Sequence, residues 1–211
     1  MSNELFKRIL SSIILIPIAL FFIIKGSFLF YSFILICFII TVYEWQMMSK
    51  NKPYNFIGFI FLIISFFTIY KLRIDPEEGY WFFLSITIIC VSTDIGGYVF
   101  GKIFKGPKLT KFSPNKTYAG MIGGFLFSLI FMTIFTNNLL GEELSINWLI
   151  FIIMVSCTSQ LGDIIISYFK RLSKIKDTGK IIPGHGGLLD RVDGMIFAFP
   201  FSYIVFLTDL I

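Results

Sequence analysis

The sequence is short of charged residues, of histidine and of cysteine. Only 15% of its 211 residues are charged and a single one is histidine, whereas about 25% of residues are charged in typical soluble chains. Cys37, Cys90 and Cys157 all lie inside apolar runs and form no Cys-x-x-Cys pair. These shortages exclude a disordered chain, a coiled coil, a disulfide framework and a zinc site.

Hydrophobic residues are what the sequence has in excess. They make up 56% of the chain, and 27 residues are phenylalanine. A helix needs about 20 mostly apolar residues to cross about 30 Å of hydrocarbon. Seven runs approach or exceed that length: 9–24, 26–43, 53–70, 79–101, 117–141, 144–169 and 194–208. We therefore expect an all-α fold, a polytopic integral membrane helical bundle of about seven transmembrane helices.

The basic residues are distributed unevenly between the two sides of this arrangement. If the N-terminus is cytoplasmic, only Lys25, Lys71 and Arg73 of the 18 lysines and arginines fall outside, and the other fifteen fall inside. Cytoplasmic loops carry such an excess of positive charge. We therefore predict a cytoplasmic N-terminus and an external C-terminus. The chain has no internal repeat and no low-complexity linker, so residues 1–211 are expected to form a single domain.

Two of the predicted spans contain an acid. Asp94 lies eight residues before Lys102, and Asp163 lies seven before Lys170. At helical rise, both carboxylates are then roughly 10–12 Å in from the cytoplasmic edge. A charged side chain facing lipid costs several kcal/mol, so such residues usually line a cavity and mark function. A structural carboxylate paired to a neighbouring helix is the alternative. The matching depths favour one shared cavity that opens to the cytoplasm.

The sixth predicted span has a polar stripe. Five polar residues follow one another at spacings of three and four: Gln160, Asp163, Ser167, Lys170 and Lys174. That spacing places them on one face of one helix. A span that is merely anchored in lipid needs no such stripe, which therefore indicates the wall of a hydrated site.

The predicted cytoplasmic loop 102–116 contains five lysines and no acid. An anchor on anionic lipid would explain the lysines, since each contributes about 1 kcal/mol near such a surface. Ser113, Asn115 and Thr117 stand among the last lysines, where the fifth span begins. Hydroxyl and free N–H groups at a helix N-terminus suit a bound phosphate, and this favours phosphate binding.

The last predicted cytoplasmic loop, 170–193, combines glycines, cations and acids. Its run 183–187 allows the backbone to approach a ligand closely and to present N–H groups to an anion. Asp190 and Asp193 are three residues apart and can face the same way at the start of the seventh helix. Asp193 could equally be a helix N-cap. If Asp163 converges with both acids, the three suit a hard divalent ion between phosphates.

These features indicate a site that transfers a phosphoryl or nucleotidyl group to a membrane-embedded substrate. Two polyanionic reactants repel each other, and Lys, Arg and Mg²⁺ neutralise them and the charge that develops in the transition state. An ion-coupled transporter could also hold Asp94 and Asp163 in a cavity. A transporter, however, has no need for a glycine-rich loop flanked by cations outside the membrane.

Several of these segments match one family pattern. The longest match consists of Ser167–Arg171, Lys176–Gly179 and Ile182–Asp193, and shorter ones are Ser92–Gly101, Lys108–Thr117 and Gln160–Asp163. Residues 92–195 therefore resemble the phosphatidate cytidylyltransferases, also called CDP-diacylglycerol synthases. Two positions depart from the family pattern: Gly97 stands where the family usually has alanine, and Ala119 stands where it usually has an acid.

The resemblance implies a reaction and a location. The protein would make CDP-diacylglycerol and diphosphate from CTP and phosphatidate for phospholipid biosynthesis. It would do so in the inner cell membrane, at a site facing the cytoplasm. Mg²⁺, with K⁺ as a second ion, and a homodimer are implied, and no nucleic-acid partner. A CTP-using enzyme that acts on another lipid phosphate, such as an archaeal ether lipid, would share the same site physics.

The resemblance also implies roles for individual residues. Carried over position by position, it predicts catalytic roles for Asp163, Lys170, Arg171, Asp190, Arg191 and Asp193. Among these, Asp163, Asp190 and Asp193 are the predicted metal ligands. Contacts with CTP or lipid phosphate are predicted for Asp94, Lys108, Ser113, Asn115, Lys116, Thr117, Lys176, Asp177, His185, Gly186 and Gly187.

The charge distribution gives a test of topology. Cysteine introduced as Lys105→Cys or Lys180→Cys should not react with an impermeant thiol reagent added to intact cells, because both loops are predicted to face the cytoplasm. Lys71→Cys, on a predicted outer segment, is the positive control. Labelling of either loop from outside would overturn the predicted orientation.

Overall fold

The computed structural model describes residues 3–76, 79–141, 143–184 and 186–208. Within these ranges there is no β-strand, and the all-α prediction is confirmed. The helices are α1 (Asn3–Lys25), α2 (Ser27–Ser49), α3 (Asn55–Ile74), α4 (Gly79–Phe104), α5 (Tyr118–Phe135), α6 (Ile146–Leu172), α7 (Leu189–Val192) and α8 (Met195–Phe206). A π-helical turn, Thr136–Leu140, continues α5.

Five helices in the described part of the chain are long and apolar enough to cross a membrane: α2, α3, α4, α5 with its π-helical turn, and α6. Of the two terminal apolar runs, the first lies within the 23-residue helix α1, and the second forms α8, which has 12 residues, a length of about 18 Å. Five of the seven predicted spans are therefore full-length membrane helices, and the protein is a polytopic membrane protein.

These helices expose many large apolar side chains and bury polar ones beside an apolar core. Phe28 and Phe56 are exposed, whereas Thr41, Ser65 and Ser128 are completely buried. Each of these three hydroxyl groups donates to a carbonyl of its own helix, so burial leaves none of them unsatisfied. Apolar side chains on the outside and satisfied polar groups on the inside are what a hydrocarbon solvent selects.

The chain forms two compact units, and each consists of two chain segments. The first unit is Met1–Phe66 with Phe169–Val192, and the second is Phe67–Tyr168 with Asp193–Ile211. The expectation of a single domain over residues 1–211 stays a prediction.

In the first unit, Trp45 joins the end of α6 to the α2–α3 connection. Its indole Nε1 donates to the carbonyl oxygen of Asn55 at 3.0 Å. Its ring occupies the space that a side chain at Gly58 would need. The ring of Phe169 stands edge-on to Trp45, with 5.4 Å between centroids, and lies 4.8 Å from the ring of Tyr54. This aromatic cluster positions the chain where the glycine-rich loop begins.

In the second unit, α4 and α5 approach each other along glycines. A Cβ atom placed on Gly96 would collide with the carbonyl oxygen of Gly123 and with Phe127. A Cβ atom on Gly123 would lie 2.7 Å from the carbonyl oxygen of Gly96. Small residues allow such backbone approach between membrane helices. α4 also meets α6, through a buried hydrogen bond of 2.7 Å between the hydroxyl groups of Thr93 and Ser156.

Neighbouring glycines of α4 should differ in their tolerance of alanine. Gly96→Ala should lower the thermal unfolding midpoint of the detergent-purified protein, since overpacking costs about 1–3 kcal/mol. Gly97→Ala is the matched control, because its Cβ would meet only the Gly120 carbonyl oxygen, at 3.7 Å. Alanine also favours a helix over glycine by about 1 kcal/mol. Equal midpoints in the two variants would contradict the packing of α4 on α5.

Candidate active site

In the first unit, the glycine-rich segment 176–190 folds around the carboxylate of Asp190. Its Oδ2 accepts the backbone N–H groups of Thr178, at 2.8 Å, and of Gly187, at 3.0 Å. Its Oδ1 accepts the Lys170 ammonium group at 2.9 Å. The Asp190 side chain is only 4% exposed. The Gly187 N–H belongs to the run 183–187 that was predicted to present N–H groups to an anion, and it binds a carboxylate of the protein itself.

Position 186 requires a glycine because of both its backbone conformation and its surroundings. Its φ is +88°, a region that side chains with a Cβ rarely adopt. A Cβ atom would also lie 2.8 Å from Asp190 Oδ2 and 3.2 Å from the Cβ of Asp177. The Ile182 N–H donates to the Gly186 carbonyl oxygen at 2.9 Å and closes the turn. The predicted ligand-binding residue His185 lies outside the described residues.

Glu44, near the C-terminal end of α2, holds the same segment and was not among the predicted site residues. It is 1% exposed, and its carboxylate accepts hydrogen bonds from the Thr178 hydroxyl, the Leu188 N–H and the Leu189 N–H. The only sequence signal was its position, as an acid directly after the apolar run 26–43. Its partners are more than 130 positions away and gave no signal.

Four other predicted residues of the first unit lie on its surface. Their side chains are exposed: Arg171, Lys176, Asp177 and Arg191. Arg171 donates from Nη1 to the carbonyl oxygen of Ile175 at 3.0 Å. Three of the four are cations, and Lys176 belongs to the segment that the two buried carboxylates hold.

In the second unit, the lysine-rich loop is closed at its base and ends in a helix cap. Leu109 N–H donates to the Lys116 carbonyl oxygen at 2.8 Å, and Lys116 N–H donates to the Ser113 carbonyl oxygen at 3.0 Å. Thr117 is the N-cap of α5, and its Oγ1 accepts the Gly120 N–H at 3.1 Å. The prediction that a helix begins at this point is confirmed.

The same loop places Lys116 beside Asp163. The Lys116 ammonium group forms an ion pair with Asp163 Oδ2, and the two side chains are 24% and 28% exposed. The Ser167 hydroxyl donates to Asp163 Oδ1 at 3.3 Å. A predicted phosphate ligand and a predicted metal ligand therefore neutralise each other. Both partners are partly exposed, so a substrate group can reach this pair.

Asp193 lies against the part of α6 that precedes Asp163. A Cβ atom on Gly162 would lie 2.9 Å from the Asp193 carbonyl oxygen, and one on Gly194 would lie 2.9 Å from the Ser159 carbonyl oxygen. Asp193 is 8% exposed, and its Oδ1 accepts the Gly194 N–H at 3.0 Å. The N-cap of α8 is Gly194, so Asp193 does not occupy the cap position that was its structural alternative.

The remaining predicted residues of the second unit are distributed over its surface. Asp94, Lys108 and Asn115 are exposed, and Ser113 is half-buried. The cavity that Asp94 and Asp163 are expected to share stays a prediction.

The described carboxylates can be compared with what Mg²⁺ requires. Among the described residues, no group of three or more His, Cys, Asp or Glu side chains is arranged to hold a metal ion. Mg²⁺ usually takes one or two protein carboxylates and completes its shell with substrate phosphates and water. Asp163 and Asp193 belong to the same unit, and that they hold one ion together stays a prediction. The convergence of Asp190 on the same ion stays a prediction.

Known proteins resemble this chain over most of its length. The model of the cytidylyltransferase family matches residues 53–208, which include the resemblance predicted for 92–195. The phosphatidate cytidylyltransferase of Rickettsia bellii is 36% identical over 211 residues, covering 96% of this chain and 91% of the relative. That of Rickettsia conorii is 34% identical, covering 99% and 92%. That of Haemophilus influenzae is 36% identical, covering 75% and 59%. The chain therefore belongs to the cytidylyltransferase family.

Proposed function

We propose that this protein transfers the cytidylyl group of CTP to phosphatidate. A phosphate oxygen of phosphatidate attacks the α-phosphorus of CTP, the bond from that phosphorus to the β-phosphate oxygen breaks, and diphosphate leaves. The product is CDP-diacylglycerol. The observation that carries the proposal is that relatives named phosphatidate cytidylyltransferase match this chain over nearly the full length of both proteins.

The charges of the described residues support this reaction. Both reactants are polyanions, so cations must offset their repulsion and the charge that develops in the transition state. In the second unit, Lys116 is partly exposed and can exchange Asp163 for a phosphate oxygen. In the first unit, Lys170 is held by Asp190. Three exposed cations follow it in the chain: Arg171, Lys176 and Arg191. We assign phosphate binding to these exposed cations and a holding role to Lys170.

Mg²⁺ is part of the proposal. When bound, it would supply positive charge at phosphate oxygens and orient them for in-line displacement. Asp163 and Asp193 would hold it in the second unit, and Asp190 stays a predicted further ligand. In this scheme Lys116 and Ser167 are the groups that release Asp163 for the ion.

The proposed location of the reaction rests on the distribution of basic residues and on the source of CTP. We propose the inner cell membrane, with both basic loops facing the cytoplasm, where CTP is made. We also propose a homodimer, which the family resemblance implies. Cross-linking of the detergent-purified protein would test the dimer.

A product assay tests the function directly. The purified protein is given labelled CTP and phosphatidate vesicles with Mg²⁺, and CDP-diacylglycerol and diphosphate are measured; K⁺ is varied separately. ATP, GTP and UTP replace CTP in parallel, and an ether-lipid phosphate replaces phosphatidate. We expect product only with CTP and the highest rate with phosphatidate. A higher rate with the other lipid would reassign the substrate, and no product under any condition would reject the activity.

Lys116 should matter for the reaction far more than a lysine that serves only as an anchor. Lys116→Ala should lower kcat/KM in the CTP assay by about a hundredfold or more, because a phosphate ligand at a fixed helix end cannot be replaced by its neighbours. Lys50→Ala, exposed at the end of α2, is the matched control and should change little. Equal, small effects at both positions would favour the lipid-anchor interpretation of the lysine-rich loop.

The three aspartates should separate into two kinds. Asp163→Asn and Asp193→Asn should lower turnover by roughly a hundredfold or more, about 3 kcal/mol, and should shift the Mg²⁺ titration of the rate. Their thermal unfolding midpoints should stay close to the parent value. Asp190→Asn should in addition increase trypsin cleavage after Lys176 and Lys180, because asparagine cannot accept all three of its hydrogen bonds. Parental rates and parental Mg²⁺ dependence in the first two variants would reject the metal assignment.

A further inference from the structure

Glu44 is the most deeply buried acid among the described residues of the first unit, at 1% exposure. Its carboxylate accepts three hydrogen bonds, and all three donors belong to the segment 178–189. Oε2 accepts the Thr178 hydroxyl at 3.1 Å and the Leu189 N–H at 2.8 Å. Oε1 accepts the Leu188 N–H at 3.0 Å. One side chain of α2 thus binds both ends of the glycine-rich segment.

Burial of this carboxylate is tolerated only because its donors are in place. An ionised carboxylate without partners is strongly destabilising in a dry environment, and hydrogen bonds to a charged acceptor are about twice as strong as neutral ones. The segment and Glu44 therefore depend on each other. If the segment moves away, a buried charge loses its partners. If the charge is removed, two adjacent backbone N–H groups lose theirs.

Two glycines of the segment are explained by Glu44. A Cβ atom on Gly179 would lie 2.6 Å from Glu44 Oε1, and one on Gly187 would lie at the same distance from that atom. Real Cβ atoms essentially never come so close to another heavy atom. The carboxylate fills the space beside both glycines, so these positions lack side chains because of Glu44.

Thr178 connects Glu44 to the residues of the candidate site. Its hydroxyl donates to Glu44 Oε2, while its backbone N–H donates to Asp190 Oδ2. Asp190 in turn holds Lys170. We propose that Glu44 is a positioning residue, which fixes the segment 178–190 so that its exposed Lys180, with the exposed Lys176 and Arg191 that flank it, meets the phosphates of the nucleotide. This inference rests on the proposed function.

Glu44→Gln is the decisive variant. Each carboxylate oxygen faces a backbone N–H, so either orientation of the glutamine amide turns its NH₂ group toward another donor. Loosening of the segment should act on nucleotide binding, because the cations it carries contact phosphate. We expect the KM for CTP to rise about tenfold, with a smaller change in kcat. A merely structural role would instead reduce the fraction of active protein, which lowers kcat and leaves KM unchanged.

Hydrogen–deuterium exchange gives a readout that does not depend on activity. In Glu44→Gln, the peptide that covers residues 177–192 should exchange at least tenfold faster, while peptides from α4 and α5 should be unchanged. Thr41→Val is the matched control. Thr41 is equally buried on the same helix. Its hydroxyl donates to the carbonyl oxygens of Cys37 and Phe38, which belong to that helix. This control should match the parent protein in exchange and in KM.

Each outcome decides the inference. Parental exchange and parental KM in Glu44→Gln would overturn it, and so would faster exchange in this peptide with an unchanged KM. Faster exchange in all peptides would assign Glu44 to general stability.

If Glu44→Gln does not fold, Thr178→Val keeps the carboxylate and removes one donor. Thr178→Val should then show smaller increases in the exchange of the peptide that covers residues 177–192 and in the KM for CTP. Parental exchange and a parental KM in this variant would reject the proposal. If the parent protein makes no CDP-diacylglycerol, the proposed function fails, while the exchange experiment still decides whether Glu44 holds the segment.

Discussion

Two buried carboxylates, those of Glu44 and Asp190, determine the conformation of the glycine-rich segment in the first unit. Between them they accept hydrogen bonds from four backbone N–H groups, one hydroxyl and the Lys170 ammonium group. The glycines at 179, 186 and 187 follow from the space that these carboxylates occupy, because each would place a Cβ atom within 2.8 Å of a carboxylate oxygen.

The two ion pairs of the candidate site differ in what they can do during a reaction. Asp190 and Lys170 are nearly inaccessible, and Asp190 is also bound by the backbone. Removal of one partner of a buried pair costs about 3–5 kcal/mol, so this pair is part of the architecture. Lys116 and Asp163 are each about one-quarter exposed, so this pair is accessible to the substrate phosphate that, in the proposed function, replaces Asp163 at Lys116.

The features that the sequence predicts well are local. Five apolar runs form full-length membrane helices, because hydropathy over 20 residues is sufficient to require a helix in hydrocarbon. The start of α5 at Thr117 was predictable from its hydroxyl and the apolar run that follows. The bond between Thr178 and Glu44 joins residues 134 positions apart, and neither residue alone indicates the other. The glycines of the run 183–187 were therefore interpreted as space for a ligand, although Gly186 and Gly187 make space for carboxylates.

Packing within the membrane determines where the ion pair of the second unit lies. Helices in lipid gain no hydrophobic free energy from contact, so they associate through small residues and polar bonds. The glycines of α4 fix α5, and Thr93 on α4 bonds to Ser156 on α6. Gln160 on α6 also donates to the Met121 carbonyl oxygen of α5, at 3.4 Å. Lys116 lies just before the N-cap of α5, and Asp163 lies within α6, nine residues before its end. The contacts that dock α4, α5 and α6 therefore bring the two charges of the pair together.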